Sequence, residues 1–363
     1  MDRRFFLGSA AATLALPGCA TTMARPAART GCLPPVSVAP ERVIRTLAGL
    51  RPYRAAGFVV RAEALGDKRL VHNYGHGGAG ITLSWGSSKL ATSLGLPGHQ
   101  GPVAVIGAGV MGLTTARLAQ EAGFQVAIYT KALTPDTTSN IAGGQFHPFG
   151  HYDHERVTPE WRAQYLAALD YSWRRFQIMV GDDYGIRWLP TYVERSNGTT
   201  ERQLLPTFPP ANRLLRPDEH PFPVAHVTRY DTIYVETGRF LRELTRDVQI
   251  AGGTIRVRDF RAPADLATLP ERLVFNCTGL GSRDLFGDTE LHPIRGQLAI
   301  LIPQPEIRYA FTGEAGYMFP RADGILLGGT FERDQWGTDP EPGAIAEIVA
   351  SHQRLFAGFR CTA

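Results

Sequence analysis

A glycine-rich turn between an apolar run and a helical pattern constrains this chain more than any other feature. Val103–Ile106 are four consecutive apolar residues, Gly107-Ala108-Gly109-Val110-Met111-Gly112 follows them, and residues 113–119 have helical composition. A strand, a G-x-G-x-x-G turn and a helix in this order are typical of a dinucleotide-binding loop, because glycines let the backbone approach a pyrophosphate at the helix N-terminus. Such a loop normally opens its domain, yet residues 1–102 precede this one.

A second glycine-rich loop lies within those preceding residues. Gly75, Gly77, Gly78 and Gly80 fall in it, and residues 81–91 continue in a pattern that predicts a helix. Residues 96–102 form a Pro- and Gly-containing linker to the first strand. Residues 125–129 form a second apolar strand, which completes a β-α-β unit.

Composition restricts the possible function classes. The chain has 363 residues, of which 44% are hydrophobic and 20% charged, and its net charge is +4. These values are typical of one large or two ordinary globular domains. The chain has no basic stripe with interleaved aromatic residues, so nucleic acid is not an expected partner. It also has no C-x-x-C pair or His/Cys spacing that would predict a metal site.

The first residues predict a targeting signal. Arg3 and Arg4 precede Phe5-Phe6-Leu7 and a short apolar stretch, and Leu16-Pro17-Gly18-Cys19 resembles a lipobox. We therefore expect residues 1–19 to be a twin-arginine signal peptide and Cys19 to be a lipid anchor at a periplasmic membrane surface. Residues 20–40 would then be a flexible tether. The alternative is a plain signal peptide that is cut nearby, with Cys19 incidental.

Several further stretches resemble the D-amino-acid oxidase family of FAD-dependent enzymes. Three short ones, Asn276-Cys277-Thr278-Gly279, Arg295-Gly296-Gln297 and Leu327-Gly328-Gly329-Thr330-Phe331, follow residues 133–144 in the order that the family uses. Residues 72–86, which contain His-Asn-Tyr-Gly-His-Gly-Gly, are the most specific match. They are out of order, since the family has this stretch near its C-terminus.

The displaced stretch indicates a circular permutant. Gly49-Leu50-Arg51-Pro52, which resembles a turn of the same family, is displaced with it, and the final helix resembles the one that should precede it. The resemblance implies an α/β fold, with a Rossmann-type FAD-binding domain on a parallel sheet and an interleaved substrate domain on a mixed or antiparallel sheet. We expect substrate-domain segments at 41–70, 151–250 and 291–345, FAD-domain segments at 71–101, 102–150 and 251–290, and a C-terminal helix at 346–363.

Permutation also suggests a pairing of cysteines. Cys32 and Cys361 would lie on the two sides of the new break, so a disulfide between them would restore the lost connection. The alternative is two free thiols in frayed tails. Cys277, in an apolar run, is expected to be an inert core thiol.

The family resemblance implies FAD-dependent oxidative deamination of D-amino acids. A hydride would pass from Cα to flavin N5, and the imino acid would hydrolyse to a 2-oxo acid and ammonia. Two alternatives remain open: oxidation of glycine, sarcosine or another secondary amino acid, and a non-catalytic flavin-binding lipoprotein. The electron acceptor would be oxygen or a quinone.

The resemblance also assigns roles in substrate binding. Arg51 matches the arginine that binds the substrate carboxylate, and Tyr317 matches a tyrosine whose hydroxyl binds the same group. The Gly78 carbonyl would accept a hydrogen bond from the amine. His76 is interpreted as structural. Gly313 stands where vertebrate members have a lid tyrosine, which predicts a more open pocket.

For FAD, the resemblance and the motif together imply three groups of residues. The pyrophosphate would lie on the turn and the helix start, and other segments would hold the ribityl chain and border the flavin ring. Thr130 and Lys131 stand where an acidic residue often binds ribose, and Lys131 is the basis for an alternative cofactor, NADP. The predicted FAD-binding residues are Gly107, Gly109, Val110, Met111, Gly112, Thr137, Thr138, Ser139, Gly143, Gly144, Gln145, His147, Gly77, Gly78, Gly80, Ile81 and Thr82.

Overall fold

The computed structural model describes residues 32–360. The predicted export signal, Cys19, the tether up to residue 31 and Cys361 lie outside the described residues. Within 32–360, no helix combines the length and the apolar character needed to cross a membrane.

The described chain contains fifteen strands and eight α-helices. The strands are β1 Val43–Arg54, β2 Val59–Leu65, β3 Lys68–Tyr74, β4 Val103–Ile106, β5 Val126–Thr130, β6 Ile186–Glu194, β7 Arg213–Leu215, β8 Val227–Val235, β9 Thr254–Val257, β10 Leu273–Asn276, β11 Leu291–Leu301, β12 Ala310–Gly313, β13 Gly316–Arg321, β14 Gly324–Gly328 and β15 Glu332–Arg333. The helices are α1 Gly80–Gly95, α2 Val110–Glu121, α3 Thr138–Ile141, α4 Pro159–Ile178, α5 Thr237–Ile250, α6 Pro263–Ala267, α7 Ser282–Phe286 and α8 Pro342–Ala357.

A six-stranded sheet carries the glycine-rich turn. Its order is β2-β3-β10-β4-β5-β9, and every neighbouring pair is parallel except β2 and β3. Helices α1, α2, α4 and α5 cover one face, where Trp85, Leu113, Trp173 and Phe240 join the core. The alternation of side chains along β4 sends Val103 and Val105 to that face and Ala104 and Ile106 to the other. A parallel sheet buried on both faces is the expected support for a dinucleotide site at the strand ends.

A nine-stranded sheet forms the second part of the molecule. Its order is β1-β11-β14-β13-β12-β6-β8-β7, with β15 also paired to β11. Most pairs are antiparallel, while β12 and β6 are parallel. Helix α8 packs on one face with Ile348, Leu355 and Phe356 in the core. The predicted fold class, a parallel Rossmann-type sheet with a mixed second sheet, is confirmed.

One local prediction differs from the structure. Gly49-Leu50-Arg51-Pro52, predicted as a turn, lies inside β1, where Gly49 pairs with Gly296 and Pro52 with Pro293 of β11. Strand β1 is at the edge of its sheet, and an edge strand tolerates proline because one side needs no hydrogen bond. Strand β6 continues through Pro190, and its pairing with β12 starts only at Thr191.

Two predicted segment boundaries also differ. Strand β2 lies in the six-stranded sheet with β3, although it falls inside the predicted substrate-domain segment 41–70. The C-terminal helix begins at Pro342 and ends at Ala357 rather than spanning 346–363, because Pro342 provides a fixed φ at its first turn.

Two cysteines of the described region have defined states. Cys32 is disulfide-bonded, and Cys361, its predicted partner, lies outside the described residues. Cys277 is free and buried, and burial raises the pKa of its thiol to about 12. The predicted inert thiol is therefore confirmed.

Candidate active site

The turn after β4 is held in shape by glycines. Gly107 has a φ of +107°, and a Cβ there would come 2.6 Å from the Cys277 carbonyl oxygen. A Cβ on Gly112, in the first turn of α2, would overlap with the Gly107 carbonyl oxygen. Gly107 is therefore required for its positive φ, and Gly112 is required because there is no space for a side chain.

The N-terminus of α2 is available to an anion. Its N-cap residue, Gly109, has no side chain that could cap the helix. The Val110 N–H donates to the Ser139 hydroxyl at a distance of 3.0 Å. The first N–H groups of a helix lack intrahelical acceptors and carry the positive end of its dipole. Met111 follows in the same first turn. Ser139, on α3, is thus brought to the turn as the sequence predicted, 29 residues from Val110.

The end of β5 lacks the acidic residue that often binds ribose. The Thr130 hydroxyl accepts from the Ala108 N–H at 3.1 Å and donates to the Ala132 carbonyl at 2.7 Å. Lys131 is exposed. Thr130 therefore braces the glycine turn.

The α3 region contributes hydroxyls and a tight backbone passage. Thr137 donates to the Asn140 side chain at 2.7 Å, and Thr138 begins α3. Gly144 has a φ of +84°, and a Cβ on Gly143 would lie 2.8 Å from the Phe319 ring. These glycines let the chain pass close to β8 and β13 of the nine-stranded sheet.

The second glycine loop is held against residues 145–150. The Gly78 N–H donates to the Gly150 carbonyl at 2.9 Å. The Thr82 hydroxyl accepts from the His147 N–H at 3.0 Å and lies 3.1 Å from the His147 carbonyl. A Cβ on Gly77, whose φ is +52°, would lie 2.9 Å from the Cα of His151. Two segments about 65 residues apart thus form one surface, and Gly80 and Ile81 start α1 beside it.

His76 lies in this loop, below the surface. Its ring stacks on Phe58 with centroids 5.0 Å apart and planes 8° from parallel. Burial lowers its pKa from 6.5 to about 3, with a smaller contribution from His151. His76 is therefore a neutral packing residue near pH 7, which agrees with its structural interpretation.

Gln145 and His147 form the far side of the same surface. The Gln145 amide donates to the Tyr230 hydroxyl at 3.4 Å. His147 Nε2 lies 3.7 Å from a carboxylate oxygen of Glu201. Burial opposes ionisation of Glu201, yet His147 and Arg195 together lower its pKa. Sequence reasoning did not identify Glu201 or Tyr230.

Arg51 brings an unpaired positive charge to this surface. Its Nη1 is buried and has no hydrogen-bond partner, and no carboxylate of residues 32–360 forms an ion pair with it. Its Nη2 lies 3.5 Å from the Tyr317 hydroxyl. A Cβ on Gly296 would overlap with the guanidinium, so glycine on β11 is what lets Arg51 lie across that strand.

Tyr317 lies flat beside Arg51. Its ring stacks on Phe319 with centroids 4.8 Å apart. A Cβ on Gly328 would overlap with the ring, so this glycine of β14 makes room for it. Thus β1, β13 and β14 place a guanidinium and a hydroxyl together, as an anion site requires.

Gly78 connects the two halves of the site. A Cβ there would lie 2.8 Å from the Phe149 carbonyl oxygen and 3.7 Å from Arg51 Cδ. The structure therefore brings together the three predicted substrate-binding residues, Arg51, Tyr317 and Gly78. Phe149 and Phe331, which border them, were not predicted as site residues. The sequence offered one indication of each: Phe149 follows the predicted site residue His147 closely, and Phe331 ends the stretch Leu327–Phe331 that resembles the family.

Most of the chain matches a known family. The model of the family described as FAD dependent oxidoreductase matches residues 18–94 and 102–362. The chain belongs to this family. FAD is its cofactor, which decides against the NADP alternative that Lys131 suggested.

Individual proteins support the assignment. The chain is 32% identical to a D-amino-acid oxidase of Streptomyces coelicolor over 270 residues, covering 69% of this chain and 76% of that protein. It is 26% identical to a human D-aspartate oxidase over 258 residues, covering 68% and 74%. A glycine oxidase structure from Geobacillus kaustophilus covers 73% of this chain and 81% of its own, with a TM-score of 0.52 and 16% identity, and shows a shared fold.

The residues present fit FAD. The glycine turn and the uncapped start of α2 offer backbone N–H groups to a pyrophosphate, with Ser139 beside them. The surface formed by residues 77–82 and 145–147 presents glycines and backbone at its edge, as a flat ring system requires. Within residues 32–360, no cluster of three or more His, Cys, Asp or Glu side chains is arranged to hold a metal ion.

Proposed function

We propose that this protein catalyses FAD-dependent oxidative deamination of D-amino acids to 2-oxo acids and ammonia. The observation that carries the proposal is the half-buried Arg51 side chain, whose buried Nη1 has no hydrogen-bond partner and whose Nη2 lies 3.5 Å from the Tyr317 hydroxyl. The relatives named D-amino-acid oxidase and D-aspartate oxidase support the D-configuration.

A guanidinium with an unpaired buried nitrogen favours an anionic ligand. A buried nitrogen without a hydrogen-bond partner has lost its hydrogen bond to water, which costs about 1–3 kcal/mol and more for a charged group. A carboxylate satisfies the planar guanidinium with two parallel hydrogen bonds. The Tyr317 hydroxyl can donate a third hydrogen bond to the same carboxylate.

The rest of the substrate is then oriented by Gly78. A Cβ on Gly78 would lie 3.7 Å from Arg51 Cδ, so the loop passes close to the carboxylate site, and we infer that the Gly78 carbonyl accepts a hydrogen bond from the α-amine. Carboxylate and amine together fix the direction of the Cα–H bond. FAD, when bound, accepts the hydride from Cα. His76 is too weak a base to take the amine proton, since burial holds its pKa at about 3.

Anaerobic flavin reduction tests this function. The full-length protein is purified, its FAD content measured, and D-amino acids, L-amino acids, glycine and sarcosine are added separately while the flavin absorbance is followed. We expect bleaching by D-amino acids and not by their L-enantiomers. Reduction by glycine or sarcosine alone would replace the proposal with secondary-amine or glycine oxidation, and bound flavin that no amino acid reduces would indicate a non-catalytic protein.

We also propose that the chain is a circular permutant of its family. The family model matches in two stretches that meet at the connection between α1 and β4. Val36 and Val38, near the start of the described chain, pack in the same core cluster as Leu355 and Phe356 near its end. If the chain had been cut within a continuous segment, its new N-terminal and C-terminal ends would lie next to each other, as these residues do.

The proposed Cys32–Cys361 disulfide rests on the same adjacency. Cys32 is disulfide-bonded, and Phe359 and Leu33 both pack against the shared cluster. Peptide mapping under non-reducing conditions should give a linked peptide containing residues 32 and 361. A link from Cys32 to Cys19 would contradict the pairing.

Export and lipid anchoring stay a proposal that rests on Arg3, Arg4 and Cys19 alone. Replacing both arginines with lysine should retain the protein in the cytoplasm, and Cys19→Ser should release it from membranes. Membrane attachment that survives Cys19→Ser would contradict the anchor.

A further inference from the structure

Tyr53 lies two residues after Arg51 on β1 and is almost completely buried. Residues two apart on a strand point to the same face, so the two side chains share one side of β1. Tyr53 is 4% exposed, and its hydroxyl donates a hydrogen bond to the Asp153 carboxylate. The strand that carries the carboxylate-binding guanidinium is therefore joined to the segment around Asp153.

This segment, residues 150–153, also contacts the loop that carries Gly78. The Gly78 N–H donates to the Gly150 carbonyl at 2.9 Å. The Asp153 N–H donates to the carbonyl of Ala55, the residue that follows β1, at 2.9 Å. One end of the segment is thus bonded to the amine-binding loop and the other end to β1.

The backbone on both sides of this connection is rich in glycine. Gly75, Gly77 and Gly150 have φ values of +86°, +52° and +59°. Glycine restricts the chain less than any other residue, so the position of such loops depends strongly on the contacts that they make. The hydrogen bond between Tyr53 and Asp153 adds a side-chain contact to the backbone bonds.

The Tyr53 hydroxyl remains a donor near neutral pH. Burial and the Asp153 carboxylate raise the pKa of Tyr53 to about 12, although Arg333 opposes the shift. The Arg333 guanidinium carbon lies 5.2 Å from the centroid of the Tyr53 ring and 5.7 Å from that of Phe331. A cation over the ring face holds the ring in place, which favours one orientation of its hydroxyl.

We propose that Tyr53 and Asp153 are positioning residues, which set the position of the Gly78 carbonyl relative to the Arg51 guanidinium. This inference rests on the proposed function. One substrate molecule must reach both groups, so a shift of the Gly78 loop misdirects the Cα–H bond even while the carboxylate stays on Arg51. A displacement of about 1 Å can cost on the order of a hundredfold in rate.

Removal of the Tyr53 hydroxyl tests the proposal. Tyr53→Phe and Asp153→Ala each break the side-chain hydrogen bond, whereas Asp153→Asn keeps an acceptor oxygen. For each variant of the full-length, FAD-loaded protein, we measure kcat and KM for D-alanine, the Kd of propanoate, the FAD content and the melting temperature. Propanoate has the carboxylate but no amine, so its binding depends on Arg51 and not on the Gly78 carbonyl.

Tyr184→Phe is the matched control. The Tyr184 hydroxyl donates to the Asp247 carboxylate at 2.7 Å, between the loop before β6 and the last turn of α5. Burial and Asp247 raise the pKa of Tyr184 to about 12 as well. The control therefore removes the same kind of hydrogen bond elsewhere in the molecule.

We expect Tyr53→Phe and Asp153→Ala to lower kcat for D-alanine about tenfold, while the Kd of propanoate and the FAD content change by about twofold or less. The double variant should be no slower than either single variant, since both changes remove one bond. Asp153→Asn should keep most of the activity, and Tyr184→Phe should match the wild type in kcat. Wild-type kcat in Tyr53→Phe, an equal loss in Tyr184→Phe, or a Kd of propanoate that rises as much as kcat falls would overturn the positioning role.

Hydrogen exchange separates this inference from the function. Amide exchange of the peptide that contains residues 77–82, followed by mass spectrometry, should be faster in Tyr53→Phe than in the wild type and unchanged in Tyr184→Phe. If no D-amino acid reduces the wild-type flavin, the proposed function fails, while exchange still decides whether the Tyr53–Asp153 bond holds the Gly78 loop. Equal exchange in Tyr53→Phe and the wild type would overturn that connection.

Discussion

The cofactor cradle, formed by residues 107–112 and 77–82, differs in construction from the substrate wall, formed by Arg51, Tyr317, Phe149 and Phe331. The cradle is made of backbone, and at Gly107, Gly112 and Gly77 an added Cβ would strike a neighbouring backbone atom. The wall is made of side chains that come from β1, β13 and two loops. A site with this division holds one cofactor strictly and leaves substrate choice to a few exchangeable side chains.

The largest expected effect comes from adding one methyl group to the cradle. Gly112→Ala places a Cβ against the Gly107 carbonyl oxygen, so the turn must open and the start of α2 must move. We expect loss of most bound FAD and a destabilisation of several kcal/mol, as for other overpacked sites, roughly 1–3 or more. Absorbance of the purified protein and thermal unfolding measure both.

Gly343→Ala is the matched control for this change. Gly343 lies in the first turn of α8 with nothing within 4 Å of its Cβ position. Alanine there should leave FAD binding unchanged and stabilise the helix by about 0.5–1 kcal/mol. A Gly112→Ala protein that retains full FAD occupancy would contradict the backbone cradle.

The second effect tests the wall. Arg51→Met removes the charge and keeps an unbranched chain, so the substrate carboxylate loses its partner. We expect kcat/KM to fall by at least about a hundredfold, the equivalent of roughly 3 kcal/mol, while FAD stays bound. Arg51→Lys should recover part of the loss, since lysine keeps the charge but not the two-point geometry.

The FAD content of the Arg51→Met variant tests whether the wall and the cradle act separately. If Arg51→Met lost FAD as completely as Gly112→Ala, the wall and the cradle would not be separable parts.

A smaller effect is expected from the Tyr317 hydroxyl. Tyr317→Phe keeps the stacking on Phe319 and removes the donor 3.5 Å from Arg51 Nη2. One hydrogen bond to a charged group contributes about 1.5 kcal/mol or more, so kcat/KM should fall about tenfold. Tyr317→Leu, which also removes the stacking, should be worse in both activity and melting temperature. Equal activity of Tyr317→Phe and the wild type would remove Tyr317 from the carboxylate site.

The last effect, which is absent at neutral pH, concerns two buried histidines beneath the second glycine loop. Burial lowers the pKa of His76 and His151 from 6.5 to about 3. The unfolded chain protonates both as pH falls below about 6.5, while the folded protein stays neutral until about pH 3. Each histidine therefore lowers the unfolding free energy by about 1.4 kcal/mol for every unit that the pH falls between about 6.5 and 3. Above pH 6.5 the two histidines do not change the unfolding free energy with pH.

Urea unfolding between pH 4.5 and 8 measures this slope. His151→Phe should reduce it by about 1.4 kcal/mol per pH unit over the acidic range, because phenylalanine has no proton to gain. Replacing the exposed Ile250, which has no ionisable group, with glutamine serves as the control and should leave the slope unchanged. An unchanged slope in His151→Phe would mean that His151 titrates normally in the folded state.

The cradle could be predicted from sequence because its determinants are local. Gly107, Gly109 and Gly112 lie within one turn, and their spacing after an apolar strand specifies the backbone that they adopt. The neighbouring Ser139 was predicted only through the family resemblance, since nothing in its own sequence context indicates that it accepts a hydrogen bond from Val110.

The wall could be predicted only in part because it depends on strand pairing. That Arg51 lies beside Tyr317 follows from the order β1-β11-β14-β13, and the space for both comes from Gly296 and Gly328. No local pattern specifies this order. Phe149 and Phe331 were missed for a related reason, because their contact joins the loop after α3 to the loop between β14 and β15.

The central claim is that the guanidinium of Arg51 holds the substrate carboxylate against FAD bound in the glycine cradle. A crystal structure of the FAD-loaded, full-length protein with propanoate tests it most directly. We expect the carboxylate on Arg51 with the Tyr317 hydroxyl as a further donor, and the flavin packed on residues 77–82. Propanoate bound elsewhere while Arg51 remains unpaired beside the flavin would contradict it.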